Sequence, residues 1–121
     1  MIHLDTSFLI RALAHDSKVD VMLRRWLDSG ETLAMSAVAW AEFLCGPIAD
    51  DLVVLATSVV RERVVFHESH SALAAELFNE TGHRRGTVVD CMIAATAIAE
   101  NAPVATMNVD DFDRFVALGL A

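Results

Sequence analysis

Asp5, Glu42, Asp90, Asn108 and Asp111 are the side chains of this sequence whose types and settings point to chemistry. Asp5 ends the apolar run Met1-Ile2-His3-Leu4 and leads into Thr6-Ser7-Phe8. Glu42 lies in the apolar stretch from Ser36 to Leu44, with no Lys or Arg three or four residues away to pair with on a helix. Asp90 opens the near-continuous apolar segment from Cys91 to Ala99, and Asn108 and Asp111 follow Pro103-Val104-Ala105. A carboxylate among apolar residues costs free energy unless it is protonated, paired or bound to a metal. Two carboxylates ~4 Å apart repel by about 4 kcal/mol at an effective dielectric of about 20, so three gathered together call for a cation. Oxygen donors without His or Cys select a hard ion, Mg²⁺ or Mn²⁺. Mg²⁺ keeps several waters and sits with phosphate groups, and it acidifies a bound water for in-line displacement. The chemistry implied is phosphodiester hydrolysis.

Each acid also has an ordinary structural use. Asp5 suits a helix N-cap, and Asp90 suits the third position of a capping box opened by Thr87, worth about 1 kcal/mol. Asp111 suits a helix N-terminus. Glu42 suits the solvent face of an amphipathic helix. What favours one shared site is the order of elements around these residues.

Met1–Asp5 reads as a buried strand and Ser7–Ala14 as a short helix. Ser17 caps an amphipathic helix carrying Val21, Leu23, Trp26 and Leu27 and ending near Gly30. Thr32–Ser36 is a second strand, and Ser36 caps a helix that bears Trp40 and Glu42 and stops at Gly46-Pro47. A helix over Ile48–Val60, a strand over Arg63–Phe66 and a helix from Ser69 to Thr81, closed by Gly82, follow. His83-Arg84-Arg85-Gly86 is a basic connection to the Asp90 helix, which Thr87 opens and which runs to Glu100. Pro103–Ala105 is a fourth strand, Asn108–Phe112 a turn, and Phe115–Leu118 a last strand. This alternation predicts a mainly parallel sheet of four or five strands with helices on both faces, an α/β/α arrangement. Ligands bind such sheets outside the carboxyl ends of the strands. Asp5, Asn108 and, through Ser36, Glu42 all fall at that edge.

The length, 121 residues, predicts one domain over 1–121. An apolar fraction of 55% and a mean hydropathy of +0.44 can build a core and leave apolar residues over for a partner surface. The longest apolar run has about half the roughly 20 residues of a membrane span, and the N-terminus lacks a signal-peptide pattern, so a cytoplasmic chain is expected. Cys45 and Cys91 read as buried free thiols, and His67 and His70 as surface polar residues rather than zinc ligands. Met22, Trp26, Trp40, Leu52 and Leu55 read as core or dimer residues. A net charge of −8 argues against nonspecific nucleic-acid binding but permits a nuclease whose acids are neutralised by metal.

Asp5-Thr6-Ser7, the Ala41-Glu42-Phe43 helix, Asp90 with Cys91-Met92-Ile93-Ala94-Ala95, and Thr106-Met107-Asn108-Val109-Asp110-Asp111-Phe112, in that order, resemble a PIN-domain ribonuclease. The shortness of the chain resembles the toxin of a VapBC-type toxin–antitoxin pair. The resemblance covers essentially the whole sequence. It implies that Asp5, Glu42 and Asp90 bind metal, with Ser7 and Thr106 orienting those carboxylates or coordinated waters. The chain has Asn108 where some members carry Asp, which leaves Asp111 as a candidate fourth acid and leaves the metal count open. The implied activity is Mg²⁺-dependent cleavage of structured RNA, tRNA or rRNA, by a homodimer that a VapB-like antitoxin covers along the active-site groove. Arg84, Arg85 and Arg11 are candidates for contacts to RNA phosphates. RNA rather than DNA rests on the resemblance alone.

Two other classes compete. A phosphatase or haloacid-dehalogenase-like phosphotransferase needs a strand-end Asp-x-Asp and a nearby lysine. Ser7 stands two residues after Asp5 and the only lysine is Lys18, which disfavours it. A non-catalytic PIN-like module that binds RNA or protein is the main alternative, kept open by Asn108.

Overall fold

Ile2–Leu4 (β1) and Leu33–Ser36 (β2) are apolar runs without alternation, as strands covered on both faces should be. They pair in parallel, Ile2 opposite Leu33 and His3 opposite Ala34. The computed structural model describes residues 1–14, 17–81 and 88–120. Glu62–Val64 (β3) lies beside β2 and Val104–Ala105 (β4) beside β1, every pair parallel, in the order β3-β2-β1-β4. Between the strands run Thr6–Ala12 (α1), Lys18–Asp28 (α2), Ala37–Leu44 (α3), Asp50–Val59 (α4), Glu68–Glu80 (α5) and Val88–Ala99 (α6), and Val109–Asp113 (α7) follows β4. The architecture is the expected three-layer α/β/α fold.

The helix starts follow the predicted caps. Ser17 Oγ accepts from the Asp20 amide at 3.0 Å, and Ser36 Oγ accepts from Val38 and Ala39 at 3.0 and 3.3 Å. Phe8 on α1 stacks on Trp26 of α2, ring centroids 5.5 Å apart, which joins the first two helices. On α6, Cys91, Ile93, Ala94, Ala95, Thr96 and Ala97 are all buried, and the small residues allow close approach to α5 and the sheet. Asn101 ends this helix at φ +53°, where an asparagine tolerates the left-handed region. His3 is the polar exception in β1: fully buried, it meets Glu100 through Nε2 at 2.8 Å, and Nδ1 has no partner among the described residues.

Several expectations are corrected. Phe115–Leu118 is not a strand; Val116–Leu118 is a 3₁₀ turn, so the sheet has four strands among the described residues. Phe115 and Leu120 are buried while Val116 is exposed, a spacing that satisfies the core without a ladder. The amides of Phe115 and Leu120 bond locally, to Phe112 O at 2.9 Å and Phe115 O at 3.1 Å. The third strand ends at Val64, short of Phe66. Cys45 is exposed, while Cys91 is buried as expected. His70 is buried, its Nδ1 accepting from the His67 amide at 3.0 Å to cap α5. Among the core or dimer candidates, Met22 and Leu55 are exposed. Gly82, His83, Arg84, Arg85, Gly86 and Thr87 lie outside the described residues, and with them the proposed caps of the helices on either side.

Candidate active site

The sheet order places the site. The chain passes from β1 outward to β2 and β3, then returns to add β4 on the other side of β1. The switch of direction therefore falls between β1 and β4, where open parallel sheets leave a crevice beyond the strand ends. Leu4 pairs with Ala105, so Asp5 and Thr106 are the next residues on two neighbouring strands, and Asp5 N donates to Ala105 O at 3.0 Å.

Asp5 is 4% exposed and serves two purposes at once. Its Oδ1 caps α1, accepting from the Phe8 amide at 2.8 Å. The same oxygen accepts from Ser7 Oγ at 2.7 Å, and Thr106 Oγ1 donates to Oδ2. The two hydroxyls are held in turn by backbone: Met107 N donates to Ser7 Oγ at 3.1 Å and Asn108 N to Thr106 Oγ1 at 2.9 Å. Ser7 and Thr106 thus form a clamp on both oxygens of one carboxylate.

Glu42 arrives from α3 and is exposed. Thr6 Oγ1 lies 3.0 Å from both the Ala39 carbonyl and Glu42 Oε1, tying α1 to α3 and setting the carboxylate's direction. Thr6 was not singled out from sequence, although it adjoins Asp5. Asp90 is half-buried in the first turn of α6. Burial pushes its carboxyl above the ordinary carboxylate range; Asp111, Glu42 and Asp5 push the same way, and Arg114 opposes them. Arg114 is the second residue that sequence reasoning passed over. Its position three residues beyond Asp111 across one helical turn was the available signal.

Asp5, Thr6, Ser7, Glu42, Asp90 and Asn108 line one recess of about 290 Å³, together with Ile10 and Ile93. Asp111 does not line it. It shares an adjoining polar recess of about 340 Å³ with Asn108 and Asp110 and reaches Asp90 only through its charge. Arg11 is exposed on the neighbouring surface formed by Ser7, Ile10 and Met107. Arg84 and Arg85 lie outside the described residues.

A divalent cation fits the chemistry of the recess. The donors are all oxygens apart from the Asn108 amide nitrogen, and the Glu42 and Asp5 charges add to the cost of ionising Asp90. Among the described residues no three His, Cys, Asp or Glu side chains converge closely enough to enclose an ion. Carboxylates with no cation between them splay apart, and Mg²⁺ requires only one or two of them directly because it retains water.

A protein-family model for the PIN domain matches residues 2–118. A comparison with curated protein sequences gives no match. Among solved structures, a chain of FitAcB from Neisseria gonorrhoeae is 25% identical, with a TM-score of 0.70 over 94% of this chain and 92% of that one. A chain of VapBC2 from Rickettsia felis, solved bound to a DNA fragment from its promoter, is 24% identical, with a TM-score of 0.74 over 94% and 92%. VapC20 from Mycobacterium tuberculosis, described as a sarcin–ricin loop cleaving toxin, is 18% identical, with a TM-score of 0.69 over 100% and 97%. No helix among the described residues is long and apolar enough to cross a membrane.

Proposed function

The chain belongs to the PIN-domain family, and from that premise we propose that it is a Mg²⁺-dependent endoribonuclease, the toxin of a toxin–antitoxin pair. Mn²⁺ substitutes for Mg²⁺. The substrate is structured RNA, tRNA or rRNA, and the domain spans 1–121. The observation that carries the reading is the convergence of Asp5, Glu42, Asp90 and Asn108 on one recess at the β1/β4 switch point. Asp5, Glu42 and Asp90 hold the cation. When bound, it supplies an acidified water and charge neutralisation for in-line displacement at phosphorus.

The chain's own residues do the rest. Ser7 and Thr106 immobilise both Asp5 oxygens, and Thr6 aims Glu42, so that little reorganisation remains for substrate binding. Asn108 offers an uncharged amide to the same recess, a polar contact for a phosphate or a coordinated water. Asp111 adds negative potential from the side. Arg11, exposed beside the recess, and Arg84 and Arg85, which precede Asp90 in the sequence, contact RNA phosphates.

An antitoxin partner is supported by an open apolar groove of about 430 Å³ between α2 and the segment after β4, with Phe8, Trp26, Val104 and Phe112 among its walls. Met22, Met107, Val109 and Val116 are exposed at the same face. A patch this large on an acidic chain suits a partner with an apolar anchor and basic flanks, and several structural neighbours are toxin–antitoxin complexes. Val54 and Leu55, neighbours on α4, are also exposed and suit a homodimer contact.

The test is cleavage of total cellular RNA by the purified chain, with Mg²⁺ and with chelator, beside Asp5→Asn and Asp90→Asn. Discrete fragments that require Mg²⁺ and both carboxylates are expected. Undiminished cleavage by both variants overturns the proposal. No cleavage under any condition, with the fold intact, favours a non-catalytic binding module, the reading that the uncharged Asn108 supports.

A further inference from the structure

α1 has two unlike faces. Phe8, Leu9 and Ala12 are buried, while Ser7, Ile10 and Arg11 lie three and four residues apart on the outer side. The Ala14 amide donates to the Arg11 carbonyl at 3.1 Å, so one more turn adds Ala14 to the outer stripe. Met107, between β4 and α7, closes it from the side, its amide donating to Ser7 Oγ at 3.1 Å. These five residues line one open recess of about 450 Å³. Ile10 is 51% exposed and Met107 is 47% exposed, so the floor of the recess is apolar and faces water.

This shelf abuts the carboxylates through shared residues and short distances. Ser7, on its floor, donates to Asp5 Oδ1 at 2.7 Å. Ile10 lines both the shelf and the recess that holds Asp5, Glu42 and Asp90. A metal and a phosphate draw no benefit from an exposed isoleucine and methionine beside them. An apolar surface with a polar rim marks a ligand groove. A ligand that spans both recesses carries an anionic group for the cation held by the carboxylates and a flat apolar group next to it. A nucleotide has both, its phosphate and base separated by one ribose. Arg11, an exposed cation at the edge of the shelf on a chain of net charge −8, suits a further phosphate of the same strand.

We propose that Ile10 and Met107 form a nucleobase subsite, which holds the base of a nucleotide at the cleaved bond while its phosphate lies at Asp5, Glu42 and Asp90. The inference rests on the ribonuclease reading above. A base has an apolar, polarisable face, and the Met107 thioether is a soft partner for such a ring. The polar side chains of the shelf are Ser7, whose hydroxyl is already engaged with Asp5 and Met107, and Arg11. The subsite therefore reads the face and size of a base rather than its hydrogen-bonding edge, and it favours a purine over a pyrimidine. The base must leave its stack to enter, which directs cleavage to loops, bulges and unpaired strands.

The probe is the RNA that wild type cuts in the total-RNA assay, remade as a short synthetic oligonucleotide spanning the cut. Cleavage is measured as kcat/KM for the native sequence and for versions with an abasic nucleotide on either side of the cut. On one side the missing base should cost wild type roughly tenfold, the low end of what stacking on a base supplies. Ile10→Ser and Met107→Ser should cut the native oligonucleotide roughly tenfold more slowly and should lose no more than about twofold further when that base is absent. Mn²⁺ affinity should match wild type in both variants, and the Met107 amide survives its substitution. Melting in chelator reports the fold, and either variant carries the test alone. Equal cleavage of native and abasic oligonucleotides by wild type overturns the proposal. So does a variant that loses the same factor on both substrates, or one that binds Mn²⁺ more weakly, since each places the effect in the general architecture. A dimer that Ile10→Ser dissociates, with base dependence unchanged, makes the shelf a contact between copies and also overturns it. Failure of wild type to cut any RNA overturns the ribonuclease reading itself, a result distinct from every comparison between variants.

Discussion

Thr106→Val isolates one half of the clamp on Asp5. The substitution keeps the shape of the side chain and deletes a single hydroxyl. That hydroxyl donates to Asp5 Oδ2 and accepts from the Asn108 amide at 2.9 Å. A hydrogen bond to a charged group contributes about 1.5–3 kcal/mol to stability. Thr106 is only half-buried, and the Asn108 amide is exposed and finds water, so the lower end applies, about 1.5 kcal/mol. For a chain of this length that is a fall in Tm of about 6 °C. The functional loss should be larger, because Asp5 keeps only the Ser7 hydroxyl and the Phe8 amide, both on Oδ1. Oδ2 is then free to swing about that anchored oxygen. Loss of a partner that orients a metal ligand costs about 10- to 100-fold in metal affinity. Thermal unfolding in chelator and Mn²⁺ titration, run in parallel, separate the two effects. The double variant with Ser7→Ala should be markedly non-additive, since both hydroxyls act on one carboxylate and lie 3.5 Å apart. Wild-type Mn²⁺ affinity in a destabilised Thr106→Val protein refutes the argument and reduces the clamp to a strand-end staple.

Three further outcomes follow from the geometry. Mg²⁺ at about a hundred times its Kd should stabilise wild type by about 2.7 kcal/mol, seen as roughly 10 °C in Tm, and should leave Asp5→Asn unmoved; equal shifts in both would remove Asp5 from the ligand set. Thr6→Val should cost under about 1 kcal/mol, because Glu42 is exposed, yet weaken Mn²⁺ binding about tenfold by releasing Glu42 Oε1; unchanged binding would mean that Thr6 only ties α1 to α3. Burial lowers the His3 pKa below its ordinary 6.5, against the opposing pull of Glu100. The unfolded chain therefore takes up this proton first on acidification, so the contribution is present above 6.5 and lost as pH falls toward the folded value. His3→Gln, which can still donate to Glu100, should accordingly show a flatter decline in Tm between about pH 7.5 and about pH 5 than wild type; parallel curves would show that His3 does not set the acid limb.

The order of elements and the two central strands are legible because parallel strands covered on both faces are mainly apolar, as Ile2–Leu4 and Leu33–Ser36 are apart from His3 and Ser36. The segment at Phe115–Leu118 misleads for the same reason. A short apolar run satisfies a buried strand and a buried turn equally, and only Gly119, at φ +116°, hints at the turn. Asp5 shows why a cap and a site residue are not rival descriptions. A carboxylate that must be buried at a strand end needs donors, and the first turn of the next helix supplies one at no further cost in structure. The capping reading and the ligand reading thus predict the same residue, and sequence alone has no means of choosing between them. Thr6 escapes notice because its partner, Glu42, lies 36 positions away in the chain and meets it only across a helix pair, and Arg114 because the Asp90 charge it opposes lies 24 positions away. What sequence reading recovers, then, are residues whose local surroundings make their charge costly. The residues that answer that cost from elsewhere in the chain become visible only through the register of β1 against β4 and the packing of α7 on α6.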